Sequence, residues 1–215
     1  METSKKYSFI EELWHSISHG IGLLLSVSAL TLLTVFAAQS GDGAKIASAI
    51  VFGLSLMMMY GASTLYHAVS LPSLKAIFRR ADHCAIYILI AGTYTPVSLL
   101  GIKGAFGWAL FGVAWGIALV GILLKLFFPK RFHALAITLY ALMGWMVVIA
   151  IKPLTENLAT LPLTFLVIGG LIYSVGIVFY VWKKLSYHHA IWHFFVLAGS
   201  VFHFFVVLLL ILEEN

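Results

Sequence analysis

Long apolar runs, separated by brief polar punctuation, account for nearly the whole chain. A helix needs about 20 predominantly apolar residues to cross a bilayer. Seven segments reach that length: about 17–38, 44–68, 82–101, 104–127, 132–151, 160–182 and 189–212. Breakers mark the gaps. They are Ser40-Gly41-Asp42-Gly43, then Pro72 with Lys75, Arg79 and Arg80, then Pro129-Lys130-Arg131, Lys152-Pro153 and Lys183-Lys184. The connections are short, which leaves no room for an extramembrane domain. The pattern predicts an all-α protein, a seven-transmembrane helical bundle forming a single domain over residues 1–215.

Composition removes the soluble alternative. The chain is 62% hydrophobic and 10% charged, against about 25% charged in a soluble domain. Cys84 is the single cysteine, so there is no intrachain disulfide. The formal charge of +5 does not point to nucleic acid, because the cations are spread over short loops. They set topology instead. Lys5, Lys6, Lys75, Arg79, Arg80, Lys125, Lys130, Arg131, Lys183 and Lys184 fall on the N-terminal side; only Lys45, Lys103 and Lys152 fall opposite. The N-terminus is therefore expected in the cytoplasm, and Glu213-Glu214-Asn215 outside. Trp14, Trp108 and Trp182 lie near the expected interfaces, as aromatic belts do. The first run follows Lys5 and Lys6, and Val35-Phe36-Ala37 could pass for a cleavage site. Glu11, Glu12, His15 and His19 intervene, however, and the run is too long for a signal peptide. It reads as a retained helix. Glycines within the spans (Gly53, Gly61, Gly112, Gly116, Gly169, Gly170, Gly176) read as sites of close helix packing.

Against this background nine histidines and Asp82 stand out, because ionisable groups in hydrocarbon need partners or a function. Under the charge-derived topology, His67 ends the second span, Asp82 and His83 begin the third, and His189 and His193 open the seventh. His15 and His19 open the first. All lie at the cytoplasmic face. His189 and His193, at i and i+4, project from one face about 6 Å apart, the spacing with which helical histidine pairs grip one ion. His67 from a second helix would complete three nitrogen ligands and leave one position for water, the open pattern of catalytic zinc. Ser63 lies one turn before His67. Other readings stay open. His15 and His19 form a second i, i+4 pair, and a membrane histidine more often hydrogen-bonds a neighbouring helix. Asp82 could pair with Arg79 or Arg80, or hold a histidine tautomer. His83 is turned about 100° from Asp82 and could face another helix. His203, about 15 Å deeper than His193, reads as a packing or relay residue. His133 and His188 read as interfacial.

These stretches carry a family resemblance. The chain resembles the hemolysin III family, the bacterial branch of the progestin and adipoQ receptor superfamily. The matching stretches are Ser16-Ile17-Ser18-His19-Gly20, Ser63-Thr64-Leu65-Tyr66-His67, Asp82-His83-Cys84-Ala85-Ile86-Tyr87, Gly92-Thr93-Tyr94-Thr95-Pro96 and His189-Ala190-Ile191-Trp192-His193, with His203 downstream. The resemblance implies seven helices, a cytoplasmic N-terminus and multi-pass residence in the bacterial inner membrane. It implies Zn2+ held by His67, His189 and His193, with Asp82 contacting the zinc-bound water. The superfamily is similar to alkaline ceramidases, and lipid amide hydrolysis is attributed to some of its receptors. Its bacterial members carry a pore-forming or haemolytic label, and some are linked to membrane lipid homeostasis. With no extended N-terminal region or ligand-facing domain, a hormone-receptor role is not expected.

The expected function is hydrolysis of an amide or ester bond in a membrane lipid. Zinc would activate water at neutral pH, Asp82 would act as general base, and Ser63 would hydrogen-bond that water or the developing oxyanion. The alternative is a non-enzymatic protein, pore-forming or lipid-sensing, in which zinc clamps helices together; a pore of this kind would need oligomers. A proton-linked transporter using His203 and Asp82 is a third reading, disfavoured because no inverted repeat or paired broken helix stands out.

Overall fold

The computed structural model describes residues 7–128 and 131–213, leaving aside the side chain of residue 133. No strand occurs among the described residues, and seven helices are long and apolar enough to cross a membrane. The helices are α1 (Phe9–Ser40), α2 (Gly43–Ala68), α3 (Pro72–Pro96), α4 (Gly104–Phe127), α5 (His133–Trp145), α6 (Ile151–Asn157), α7 (Thr160–Val181) and α8 (His188–Leu212). Helices α5 and α6, joined by a 3-10 turn over Met146–Ala150, make one broken span.

Two helix starts lie earlier than the apolar runs suggest. Helix α1 begins at Phe9 because Ser8 and Glu11 form a capping box: the Glu11 N–H donates to Ser8 Oγ (3.2 Å) and the Ser8 N–H to Glu11 Oε2 (2.9 Å). The box satisfies two otherwise orphaned donors, and it extends regular helix through Glu12, His15 and His19. Helix α3 begins at Pro72, in the first turn, where a missing N–H costs nothing. Lys75, Arg79 and Arg80, expected in a connection, are therefore helical. At the other end of α3, Pro96 leads into a π-helical turn, Val97–Ile102. The break after α5 is held by Tyr94, whose hydroxyl accepts from the Val147 N–H (2.7 Å) and donates to Gly144 O (3.3 Å). Such substitutes are needed wherever backbone leaves the α-ladder inside a membrane.

Helix α1 packs on α2 and also on α8, α2 packs on α3, and α7 packs on α8. First and last helices are thus neighbours. Packing is close at Gly22, where an added Cβ would lie 2.4 Å from the Tyr60 ring, and at Gly169, where it would lie 2.6 Å from His203. The close-packing expectation does not extend to Gly112, Gly116 or Gly170, where an added Cβ would meet no neighbour within 4 Å. Leu24, Leu119, Ile149 and many other large apolar side chains are exposed around the bundle, as a lipid-facing surface requires. Trp14, Trp108 and Trp182 are exposed near helix ends. At the end away from the histidines, Lys45 Nζ donates to Glu213 O (2.6 Å), tying α2 to the end of α8.

Candidate metal centre

Helices α1 and α8 begin, and α2 ends, at the same end of the bundle, and their histidines meet there. On α1, Glu12, His15 and His19 follow i, i+3, i+7 spacing and so share one stripe. His67 is the second-last residue of α2, and His189 and His193 stand one turn apart at the start of α8. Each of His67, His189 and His193 offers a nitrogen within 4.8 Å of the others, and all three rings are buried. His67 Nε2 and His189 Nε2 are 3.3 Å apart.

Hydrogen bonds set two of the three tautomers. His67 Nδ1–H donates to Glu12 Oε2 (2.6 Å), which leaves Nε2 as a lone pair facing His189. Ser18 Oγ donates to His15 O (3.0 Å), so its oxygen is free to accept from His193 Nδ1–H (3.1 Å); the same ring N–H also lies 3.3 Å from His15 O. His193 Nε2 is then a lone pair, and it finds no protein donor. A buried polar atom left without a partner costs about 1–3 kcal/mol. His189 Nδ1 and both nitrogens of His15 have no hydrogen-bond partner either. Converging lone pairs on neutral imidazoles, shielded from water, are the donor set that a divalent cation satisfies. The cluster can hold a metal ion.

Three further groups surround it. The His15 ring lies 4.6 Å from His67, 4.8 Å from His189 and 5.3 Å from His193. His19 stacks on His193 at 3.5 Å and meets the Tyr60 ring edge-on at 5.1 Å. Tyr7, just before α1, meets His15 edge-on at 4.8 Å and stacks near His189 at 5.4 Å. Burial raises the Tyr7 phenol above its ordinary range, so it remains an O–H donor.

The other sequence candidates are distributed around this centre. Ser63 on α2 and Asp82 on α3 are both buried, and Ser63 Oγ has no hydrogen-bond partner among the described residues. Asp82 belongs to neither group of potential donors. The peptide carbonyl of His83 accepts from the Tyr140 hydroxyl (2.8 Å), and His83 likewise belongs to neither group. His203 is buried deeper on α8, against Gly169 and the Tyr173 ring. His188, expected at an interface, is 1% exposed, and its Nδ1–H donates to Phe179 O (3.2 Å). The side chain of His133 lies outside the described residues, as do Lys5, Lys6, Lys130, Glu214 and Asn215. Sequence reasoning misses Glu12 and pairs His15 only with His19. The signal was present in the stripe 12, 15, 19, once helix α1 is known to include it.

The profile of the haemolysin-III-related family matches residues 7–204. The chain is 48% identical to the hemolysin-3 homolog of Bacillus subtilis (strain 168) over 202 residues, covering 94% of this chain and 95% of that protein. It is 44% identical to hemolysin-3 of Bacillus cereus over 202 residues, covering 94% and 92%. It is 26% identical to the human monocyte to macrophage differentiation factor over 166 residues, covering 74% and 68%. No solved structure matches.

Proposed function

The chain belongs to the haemolysin-III-related family, and from that premise we propose that it binds zinc through His67, His189 and His193 and hydrolyses an amide or ester bond in a membrane lipid. It is a multi-pass membrane protein, with the bacterial inner membrane its expected location. The observation that carries the proposal is the convergence of three buried imidazoles from α2 and α8, with Glu12 and the Ser18–His15 pair directing nitrogen lone pairs inward. Histidine nitrogens without thiolates suit zinc, and three ligands leave a position for substrate or water. A bound zinc ion supplies a Lewis acid able to activate water at neutral pH.

The chain's residues divide the remaining work. Asp82, buried on α3, accepts the proton of the attacking water and returns it to the leaving nitrogen or oxygen. Ser63 donates a hydrogen bond to the developing oxyanion. The N-terminal end of the bundle faces the cytoplasm, so lipid arrives from the bilayer and water from the cytoplasmic side. The test is metal content of purified wild type against His67→Ala and His189→Ala, beside a screen of ceramide-like and glycerolipid substrates. One zinc per wild-type chain, with zinc and product formation both lost in the variants, supports the proposal. Product formation unchanged in zinc-free variants overturns it.

One observation favours a second reading, in which zinc clamps helices without catalysis. The six ring separations among His15, His67, His189 and His193 span only 4.6–5.3 Å; the His15 nitrogens do not join the donor group of the other three as they stand, but a small shift of α1 would bring His15 in as a fourth ligand. Four protein ligands characterise structural zinc. Asp82→Asn separates the two: a hydrolase keeps its metal and loses product formation, whereas a clamp is unaffected.

A further inference from the structure

We propose that Glu12 and Lys75 form a positioning unit that holds His67 in its metal-binding tautomer; this rests on the reading of His67 as a metal ligand. His67 sits at the end of α2, where the helix ladder gives out, so its ring needs an anchor from another helix. Glu12 on α1 supplies that anchor through a 2.6 Å contact between Oε2 and His67 Nδ1. Lys75 on α3 occupies the other carboxylate oxygen, with Nζ 2.8 Å from Oε1. The same ammonium donates to the carbonyls of Tyr66 (3.2 Å) and Val69 (3.4 Å) and lies 5.0 Å over the Tyr66 ring. One cation thus holds both the carboxylate and the helix end that bears the ligand.

The arrangement assigns Glu12 an indirect role. Glu12, His15 and His67 lie close enough to form a donor group of their own. Both oxygens of Glu12 are already committed, however, one to a cation and one to the His67 N–H. Glu12 therefore acts through His67 and does not ligate. A carboxylate accepting from the outer N–H of a ligating histidine fixes the tautomer and raises the basicity of the inner nitrogen, and loss of such a partner typically weakens metal affinity 10–100-fold. Lys75 neutralises the carboxylate and keeps it from turning toward the ion.

The experiment uses the full chain in detergent and Zn2+ alone as ligand, with affinities from competition against a chelator. Glu12→Ala is expected to weaken Zn2+ binding about 10–100-fold. Glu12→Gln keeps an oxygen that can accept from Nδ1–H and is expected to recover most of that loss. Lys75→Met is expected to fall between Glu12→Gln and Glu12→Ala. Glu156→Ala removes an exposed carboxylate elsewhere and is expected to bind as wild type. Nitrogen-15 chemical shifts of His67 supply a readout that general destabilisation does not mimic. Wild type and Glu12→Gln should show the Nδ1–H tautomer, and Glu12→Ala a mixture. Wild-type affinity in Glu12→Ala, an equal loss in Glu156→Ala, or an unchanged His67 tautomer overturns the positioning role alone. Failure of wild type to bind Zn2+ overturns the reading on which it rests.

Discussion

Gly22→Ala moves a whole wall of the metal centre without touching a donor atom. The new methyl would lie 2.4 Å from Tyr60 Cδ1 and 2.5 Å from Cε1. Carbon atoms rest about 3.5–4.0 Å apart, so α1 and the ring must separate by about 1.1–1.6 Å. Tyr60 cannot swing away freely. It is buried, and its hydroxyl donates to Ser200 Oγ on α8 (2.7 Å). The strain therefore falls on the α1–α2 contact, which carries the 2.6 Å bond between Glu12 and His67. Overpacking of this kind costs about 1–3 kcal/mol. A chain of this size loses about 2–4 °C of Tm per kcal/mol. The control is Gly112→Ala, where an added Cβ meets nothing within 4 Å and helix propensity alone gains up to about 1 kcal/mol. Thermal unfolding of both variants in one detergent, with and without added zinc, is the assay. Gly22→Ala should melt well below Gly112→Ala and show a smaller zinc-dependent rise. Equal melting temperatures would refute the packing argument and the link from α1 to the metal.

The remaining predictions concern single contacts. Tyr60→Phe deletes the hydroxyl bond to Ser200 but leaves Ser200 its contact with Tyr173 (2.8 Å); a loss of about 0.5–1.5 kcal/mol is expected by thermal unfolding. Chelation should lower the Tm of wild type and leave His193→Ala unmoved, because an ion bound only by the native state stabilises it by about 2.7 kcal/mol at 100 times its Kd. Asp82→Asn should retain wild-type zinc content while product formation drops to background in a lipid-hydrolysis assay.

Hydropathy located all seven spans because each must satisfy its backbone internally while facing lipid, and that demand is written residue by residue. The starts of α1 and α3 were less legible. They depend on a capping box and an N-terminal proline, which carry charged residues into helix that hydropathy alone assigns to connections. The His189/His193 spacing is local and could be read directly. That Glu12 would reach His67, 55 residues away, depends on α1 lying beside α2, and no periodicity within one helix encodes it.

X-ray absorption at the zinc edge, on protein purified from zinc-replete cells, tests the metal centre most directly. The account predicts one zinc per chain, surrounded by imidazole nitrogens at about 2.0–2.1 Å, with the signal lost in His67→Ala and His193→Ala. A wild-type protein that carries no zinc, or a spectrum unchanged in those variants, would contradict it.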